Sequence, residues 1–328
     1  MAIKGSGSSL SFTEIEAEFG QNGSRSLGDY RLNQNVGSLS NLPLDSGIPT
    51  SGQIKFSDFY SKRLNVVVDC HSGGEETRKS AKGDKWNNNN LTVVGGFRSK
   101  KEGGSKIIIN VNKKFCSNKD QTNRCALRTG SWDSSAVVQV DVGSSGRILG
   151  SGGDGGRGAN GIDSSGQAGS TGTSGLGVEV NNCTVNVQSG GIIRAGFGGG
   201  GGGGGDRQVD KGEDRRASGG GGGGGMGCPP GSGGPRGTTG SLGSDGSNGS
   251  ETAGGGGGSR GVNENQAYGG DGGSGGQAQG GAGDGNNAEN SGGAGGASGA
   301  AIRRTSGFSV SVNNSGTING STTATGVT

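Results

Sequence analysis

The chain has 328 residues, of which 83 are glycine, only 26% are apolar and 4% are aromatic, and its formal net charge is +3. This apolar content is too low to fill a conventional core, so either part of the chain is disordered or its order does not come from side-chain packing. With one histidine, His71, and no recognisable catalytic constellation, the sequence predicts a structural or binding protein without enzymatic activity, metal or cofactor.

The cysteines and the lack of long apolar runs indicate where the protein is made. No run approaches the ~18 apolar residues that span a membrane, and the N-terminus lacks the apolar region of a secretory signal. The five cysteines are widely spread and contain no C-x-x-C spacing. We therefore predict synthesis in a reducing cytosol with free buried thiols, and a Cys116–Cys125 pair across a hairpin is the alternative.

Residues 1–60 predict a small helical module. Ser11 and Glu14 have the spacing of a capping box at the start of a helix, and two further short helices are predicted at 26–30 and after a cap at Ser57. A module of 60 residues with so few apolar side chains would be only marginally stable alone. We therefore expect it to dock onto a partner. The candidate attachment residues are Phe12, Ile15, Phe19, Phe56, Phe59 and Tyr60.

Residues 61–145 carry short runs rich in β-branched residues, which predict strands at 64–70, 91–96, 106–111, 126–128 and 136–142. Without helical periodicity, these runs favour a β-sandwich-like domain anchored by Trp86 and Trp132. Residues 61–134 hold 15 Lys and Arg against 7 Asp and Glu, net +8. This charge predicts a solvated face, with a patch for an acidic or phosphate-bearing partner as the alternative, and nucleic acid is not a predicted partner.

Three stretches share an alternating strand, a polar turn that contains glycine, and a returning apolar residue. They start at Val138, Cys183 and Phe308 and align without gaps at offsets of 45 and 125 residues. The first two run into glycine tracts, and the third closes the chain. We therefore predict that the glycine-rich segments are insertions between rungs of a common β-scaffold.

Residues 146–307 contain 63 of the 83 glycines, often at every third position, as at Gly152, Gly155 and Gly158. Three residues per turn is the repeat of polyproline II, and the five prolines and interrupted period exclude collagen. The pattern predicts a polyglycine II bundle, in which extended helices approach closely and bond through their backbones. A disordered glycine-rich linker is the alternative.

The non-glycine breaks in this half are predicted to be loops at the ends of the bundle, at 206–217, 226–230, 259–268 and 285–291. Arginine supplies bidentate donors, tyrosine a flat anchor, and asparagine two-way hydrogen bonds, a mixture that suits recognition of carbohydrate or protein. The candidate receptor-binding residues are Arg207, Arg215, Arg216, Asn263, Asn265, Tyr268, Asn286 and Asn287.

Composition and pattern together predict a mostly β fold in four units. These are an N-terminal attachment module at 1–60, a basic β domain at 61–145, a glycine-rich domain at 146–307 with a scaffold strand near 178–193, and a closing β segment at 308–328.

Two parts of the chain resemble proteins of tailed bacteriophages. The strings at 9–20, 26–31 and 48–60 resemble a short module found near the N-termini of phage virion and tail proteins. The turn at 189–197, which runs into the eight glycines of 198–205, resembles the glycine-rich adhesins at the tips of phage tail fibres.

This resemblance implies a non-enzymatic virion protein, a tail fibre or tail-tip adhesin that binds a host surface polysaccharide or outer-membrane protein through distal loops of a polyglycine II bundle. The N-terminal module would join other tail or baseplate proteins, with assembly in the host cytoplasm and a homotrimer as the common tail-fibre arrangement. The resemblance does not choose between monomer and trimer, or between long fibre, tail tip and baseplate. The alternative function is that of a polyglycine II antifreeze or structural glycine-rich protein without receptor binding.

Overall fold

The computed structural model describes residues 3–19, 26–30, 34–36, 39–42, 47–49, 51–63, 65–70, 79–80, 91–93, 106–119, 124–132, 134, 136–160, 164–210, 213–262, 269–276 and 290–327. Within these ranges the helices are α1 (Phe12–Phe19) and two short 3-10 helices, Leu27–Tyr30 and Phe56–Phe59. None of the helices described is long and apolar enough to cross a membrane.

The remaining regular structure is β. The strands in chain order are β1 (Gln34–Val36), β2 (Leu39–Leu42), β3 (Asn65–Cys70), β4 (Lys79–Ser80), β5 (Leu91–Val93), β6 (Lys106–Val111), β7 (Lys114–Cys116), β8 (Cys125–Arg128), β9 (Val137–Val142), β10 (Arg147–Leu149), β11 (Ser174–Val178), β12 (Cys183–Val187), β13 (Ile192–Arg194), β14 (Asp206–Asp210), β15 (Glu213–Ala217), β16 (Ile302–Arg304), β17 (Val310–Asn314), β18 (Thr317–Asn319) and β19 (Ala324–Thr325).

Three sheets form the scaffold of the molecule. Sheet A has the order β17-β12-β9-β6-β3-β5, sheet B the order β18-β13-β10-β7, and sheet C the order β19-β16-β11-β8-β4. In four successive rungs the chain passes from A to B to C, namely β6-β7-β8, β9-β10-β11, β12-β13-β16 and β17-β18-β19. Neighbours in these sheets pair in parallel except β3 with β5. The stacked rungs form a three-sided β-solenoid.

The offsets of the sequence repeat correspond to the offsets between paired residues on neighbouring strands of the solenoid. Val185 pairs with Val140, which confirms the offset of 45. In sheet B, Ile193 pairs with Ile318 at the predicted offset of 125, but in sheet A Val185 pairs with Val312 at 127. The turn before β18 is two residues shorter than the turn before β13. A shift of two residues keeps the same side chains inward, because alternate residues of a strand face the same side.

Inward-facing side chains of the three sheets form a single core. The burial of β9 and β12 alternates residue by residue, as expected for strands with one face inside. The core includes Ile107, Ile109, Phe115, Leu127 and Val185, all completely buried. On the outer face of sheet A, Asp141 accepts hydrogen bonds from Gln139 and Asn186 at 2.9 and 2.7 Å, and Asn186 accepts one from Asn313 at 2.8 Å.

The structure confirms the mostly β prediction but corrects the sandwich-like arrangement expected for residues 61–145. Strands β6 and β9 pair in parallel, and β9 continues the same sheet with β12 and β17 from the second half of the chain. Alternation identifies which side chains face a core, but it does not specify strand direction or partner. Trp132 is buried in the solenoid core, and Trp86 lies outside the described residues.

The N-terminal module is held by a capping box and a small aromatic cluster. Ser11 N donates to Glu14 Oε2 at 2.7 Å and Glu14 N donates to Ser11 Oγ at 3.3 Å, as predicted. Hydrogen bonds from Lys4 and Ser11 lower the pKa of Glu14 to about 2. The predicted cap at Ser57 is wrong, because the helix there begins after Lys55, whose N–H donates to Asp58 Oδ2 at 2.7 Å.

Candidate functional site

The glycine-rich segments leave the solenoid at one corner. Residues 150–173 connect β10 to β11, and residues 195–301 connect β13 to β16. Both connections start in sheet B and return in sheet C. Because the rungs are stacked in register, two insertions at the same corner bring their extended segments side by side. We call this array the bundle.

A central segment of the bundle, residues 218–226, is hydrogen-bonded to neighbours on all sides. Its N–H donors rotate through three neighbours: residues 219, 222 and 225 donate to carbonyls of 153–159, residues 220 and 223 to 270–273, and residues 221 and 224 to 244–247. Its carbonyls accept from Gly231, Gly255 and Gly200, which belong to three further segments. The buried backbone N–H groups of residues 219–225 thus have hydrogen-bond partners although the segment is not paired in a sheet.

Between its ends, at residues 219–225, this segment has no room for side chains in any direction. A Cβ atom at Gly222 would lie 2.1 Å from the carbonyl oxygen of Gly200, one at Gly223 2.1 Å from that of Gly255, and one at Gly224 2.1 Å from that of Gly231. Real Cβ atoms do not approach other atoms so closely. An uninterrupted run of glycines therefore corresponds to a segment surrounded on every side.

Segments at the edge of the bundle need glycine only where they face a neighbour. At Gly166, Gly169 and Gly172 a Cβ would lie 1.9 to 2.2 Å from carbonyl oxygens of residues 196–202. The positions between them carry Gln167, Ala168, Ser170 and Thr171. The spacing of glycine thus reports how many sides of a segment are in contact.

One end of the bundle, which we call the root, lies against the solenoid. Cys228 N donates to the carbonyl of Gly150, the residue after β10, at 2.8 Å, and Gly227 N donates to Ser250 at 3.1 Å. Cys228 forms a disulfide with Cys116 on β7, across 112 residues of sequence. This pairing corrects both expectations for Cys116, which is neither a free thiol nor bonded to Cys125. Cys70, Cys125 and Cys183 are buried and form no disulfide within the described residues.

A charged cluster holds the neighbouring root loop. Glu251 Oε2 lies 2.5 Å from Lys114 Nζ, and Glu251 Oε1 lies 3.5 Å from Arg147 Nη1. Burial raises the pKa of Glu251, but the hydrogen bond from Lys114 and the charges of Lys114, Arg194 and Arg147 outweigh burial and leave this pKa below its ordinary value. Burial also lowers the pKa of Arg194, and the negative charge of Glu251 partly offsets this decrease.

The opposite end of the bundle, which we call the tip, gathers the loops farthest from the solenoid. The hairpin β14-β15 joins the two central segments, 196–205 and 218–226, and an extended segment of ten residues spans roughly 30 Å. Around its base, Ser218 N donates to Ser241, Gly219 N to Ala159 and Gly270 N to Gly204, at 2.9, 3.0 and 2.7 Å.

Three of the predicted receptor-binding residues lie on this hairpin. Arg207 pairs directly with Arg216, and Gln208 with Arg215. Because sides alternate along a strand and paired residues face the same side, Arg207 and Arg216 share one face of the hairpin. Arg207 and Arg216 are half-buried. The other predicted residues, Asn263, Asn265, Tyr268, Asn286 and Asn287, lie outside the described residues.

The break at residues 226–230, predicted as an end loop, lies at the root. Met226 packs with Ala195 and Phe197, and Cys228 is disulfide-bonded. Sequence reasoning therefore missed the root contacts of Cys228 and Glu251. The available signal was a cysteine followed by two prolines at the end of a glycine run.

The predicted attachment residues mostly build the core of the N-terminal module. Ile15, Phe19 and Phe59 are completely buried, whereas Phe56 is 39% exposed. Phe12 stacks edge-on against Phe56 with ring centroids 6.0 Å apart. The remaining residue of the set, Tyr60, donates a hydrogen bond through its hydroxyl to the carbonyl of Ser8. Attachment through this module stays a prediction.

Within the described ranges, no three His, Cys, Asp or Glu side chains group closely enough to hold a metal ion. No curated protein matches the chain. Among solved structures, the chain is similar to one described as "Crystal structure of the gp37-gp38 adhesin tip complex of the bacteriophage S16 long tail fiber", with 22% identity, a TM-score of 0.40, and coverage of 94% of this chain and 96% of that chain.

A family model described as "Phage tail fibre adhesin Gp38" matches residues 77–323. The matched range holds the described solenoid strands from β4 to β18, the whole root and the tip hairpin. It covers about three quarters of the sequence, and the chain therefore belongs to the Gp38 family of phage tail fibre adhesins.

Proposed function

We propose that this adhesin binds a molecule of the host surface, a polysaccharide or an outer-membrane protein, through the loops at the tip of the bundle. The carrying observation is the hairpin β14-β15, which rises from the ends of both central segments. The interior of the bundle has no side chains with which to recognise anything, so specific contacts must come from the loops. The protein acts by binding and not by catalysis.

We also propose that the bundle is polyglycine II. The support is the three-residue rotation of hydrogen-bond donors along 218–225, which is the periodicity of a helix with three residues per turn. The close approach of backbones at Gly222, Gly223 and Gly224 is a second argument, because only glycine allows it. A bundle bonded in this way would be stiff enough to hold the tip loops in fixed positions.

The N-terminal module, residues 1–60, would attach the adhesin to another protein of the virion tail. Phe56 supports this part of the proposal, because it is a large apolar side chain with substantial exposure beside a packed aromatic cluster. Residues 61–145, 146–307 and 308–328 would then act together as scaffold and receptor-binding head.

Adsorption measurements test the tip. The double variant Arg207→Ala and Arg216→Ala removes two guanidinium groups from one face of the hairpin, and arginine is enriched among residues that carry binding energy. We expect virions carrying it to adsorb to host cells at least about tenfold more slowly. Arg304→Ala on sheet C, far from the tip, is the matched control and should adsorb normally.

If the double variant folds with an unchanged thermal midpoint and adsorbs as fast as the control, the tip is not the binding site. Loss of adsorption in the Arg304→Ala control would point to recognition by the solenoid.

A further inference from the structure

The last rung of the solenoid, β17-β18-β19, is open on one side. Each of these strands pairs with the rung below it, and no strand of the described residues pairs with it on the other side. Because the three sheets belong to one stack, their three unpaired edges lie at the same end of the solenoid. We call this surface the open rung.

The open rung presents backbone hydrogen-bonding groups. Ser315 N donates to a carbonyl of β12 at 2.8 Å, and Thr317 N donates to the turn before β13 at 2.9 Å. Along a strand in a sheet, backbone groups point alternately to the two sides. The N–H and C=O groups of Val312 and Ile318 therefore point away from the solenoid, toward the position of a further strand.

The open rung also leaves the apolar core uncovered at this end. Val312 pairs with Val185 and Ile318 pairs with Ile193, so each continues an inward-facing column. Val185 and Ile193 are completely buried, whereas Val312 and Ile318 are only partly buried. A further rung would therefore bury apolar surface as well as pair the edge.

The sequence of the open rung lacks the features that normally protect an edge strand. Soluble proteins discourage pairing at exposed edges with charged side chains, above all lysine, and with proline. Residues 305–328 contain no Asp, Glu, Lys, Arg, His or Pro. The composition thus favours an edge that pairs with another chain over one that is kept apart.

A ladder of side chains on the outer face of sheet A fixes what the next rung must supply. The carboxylate of Asp141 can only accept, and it accepts from Asn186 Nδ2 at 2.7 Å. This orients the amide so that Asn186 Oδ1 accepts from Asn313 Nδ2 at 2.8 Å. Asn313 Oδ1 is left as the acceptor at the exposed end of the ladder, and a side-chain donor would continue it.

A second copy of this chain fits the open rung poorly. A two-fold axis exchanges two of the three sides, but β17, β18 and β19 have five, three and two residues, so strands of unequal length would pair. It would also bring the acceptor ends of two ladders to one interface. Stacking head to tail would meet the other end of sheet A, where β5 is antiparallel to β3 and ends the parallel series.

From these features we infer that the open rung is a docking surface for a different chain of the virion tail. That chain adds a rung of uncharged β-strands to the three edges, covers Val312 and Ile318, and donates a side-chain hydrogen bond to Asn313. Addition of strands to an exposed sheet edge is a common mode of protein recognition. The contact depends neither on the proposed tip site nor on attachment through the N-terminal module.

Co-sedimentation of the full chain with virions that lack this adhesin tests the inference. We expect the wild type to bind these virions. Val312→Lys places a charge on the edge, as protected edge strands do, and should weaken binding at least about tenfold. Thr184→Lys is the matched control, because it adds the same charge to the outer face of β12, one rung further in, and should bind normally.

Asn313→Ala is the second variant, because it shortens the ladder at an exposed position and leaves the core unchanged. It should keep the thermal midpoint and weaken binding about fivefold, the effect of one hydrogen bond. On the bound wild type, hydrogen exchange of residues 310–318 should slow.

The inference is overturned if the wild type does not bind, or if Asn313→Ala binds equally well without slower exchange at 310–318. Loss of binding in Thr184→Lys as well would place the contact on the outer face of sheet A and also overturn it. Self-association of the purified chain that Val312→Lys abolishes would identify a second copy as the occupant instead. The tip variant Arg207→Ala and Arg216→Ala should bind these virions normally, which separates this contact from the proposed function.

Discussion

In the solenoid, Ile109 is completely buried because its side chain fills the space between three sheets, whereas in the bundle Gly222 is buried because it has no side chain at all. The first region excludes water with packed methyl groups and gains from the hydrophobic effect. The second excludes water by bringing backbones together and must gain from hydrogen bonds, which offset the large conformational entropy of ordered glycine.

This difference explains how a chain with 26% apolar residues can be ordered. The apolar residues are concentrated in the solenoid, where one core serves all rungs. The bundle then adds ordered length without adding a core of its own. The contrast also means that adding a methyl group should destabilise the bundle, whereas removing methyl groups should destabilise the solenoid.

The largest expected effect is at the centre of the bundle. Gly222→Ala adds a methyl group 2.1 Å from the carbonyl oxygen of Gly200, and backbone on that side cannot move without breaking its own bonds. We expect a loss of at least about 3 kcal/mol in the free energy of unfolding, the upper end for overpacking. Thermal unfolding and hydrogen exchange of residues 219–225 would measure it.

Gly256→Ala is the matched control for this substitution. A Cβ there would meet only Ser247 Oγ, at 3.6 Å, and the residue is exposed. Its stability should stay equal or rise slightly, because alanine restricts the unfolded chain. Equal losses at Gly222 and Gly256 would show that the bundle is not packed as described.

In the solenoid the opposite change is harmful. Ile109→Ala removes methyl groups from a completely buried position and should cost about 3 kcal/mol, within the range for large-to-small core substitutions. Val137→Ala, at a position that is 40% exposed, should change stability by less than about 0.5 kcal/mol. Denaturant unfolding followed by Trp132 fluorescence reports this region, and similar costs at both sites would contradict a side-chain core.

The junction of the two regions depends on the disulfide between Cys116 and Cys228. Replacing both by alanine should lower stability by about 2 to 4 kcal/mol, because the bond closes a loop of 112 residues. A reductant should lower the thermal midpoint of the wild type and leave that of the double variant unchanged. Equal sensitivity of both proteins to the reductant would place the effect at other cysteines.

A smaller effect is expected from the ionic contact at the same junction. The pKa of Glu251 is lowered in the folded protein, so its contribution is present above the ordinary value of 4.5 and is lost as pH falls through the folded-state pKa. Glu251→Gln should remove this part of the acid dependence. In mild alkali it should lower the free energy of unfolding by less than the loss of the disulfide does. An unaltered acid profile would mean that Glu251 does not hold the root.

Particular elements show how far the sequence could be interpreted. Strand β6 was predicted with its observed bounds, and the repeat offset of 45 is the observed register. The capping box of Ser11 and Glu14 was also correct, because it depends on residues three apart. The sandwich, the free Cys116 and the cap at Ser57 were wrong, and each depends on a partner or a backbone turn that local pattern does not specify.

The candidate site follows the same division. The arginines at the tip could be identified, since they interrupt glycine runs and their residue type favours recognition. The cavity at the corner between sheets C and A could not, because its walls come from segments before four different strands, between positions 63 and 308. No spacing in the sequence links Trp132 to Asn181 or Phe308.

By itself the sequence determined which residues face a core and which segments admit no side chain, because both properties depend on the local periodicity of apolar residues and glycines. Only the tertiary structure decided that the rungs stack in parallel, that both glycine-rich insertions leave at one corner, and that β7 meets the loop at Cys228. These features join residues that are tens to more than a hundred positions apart, and contact between such distant residues is selected by the packing of the whole chain.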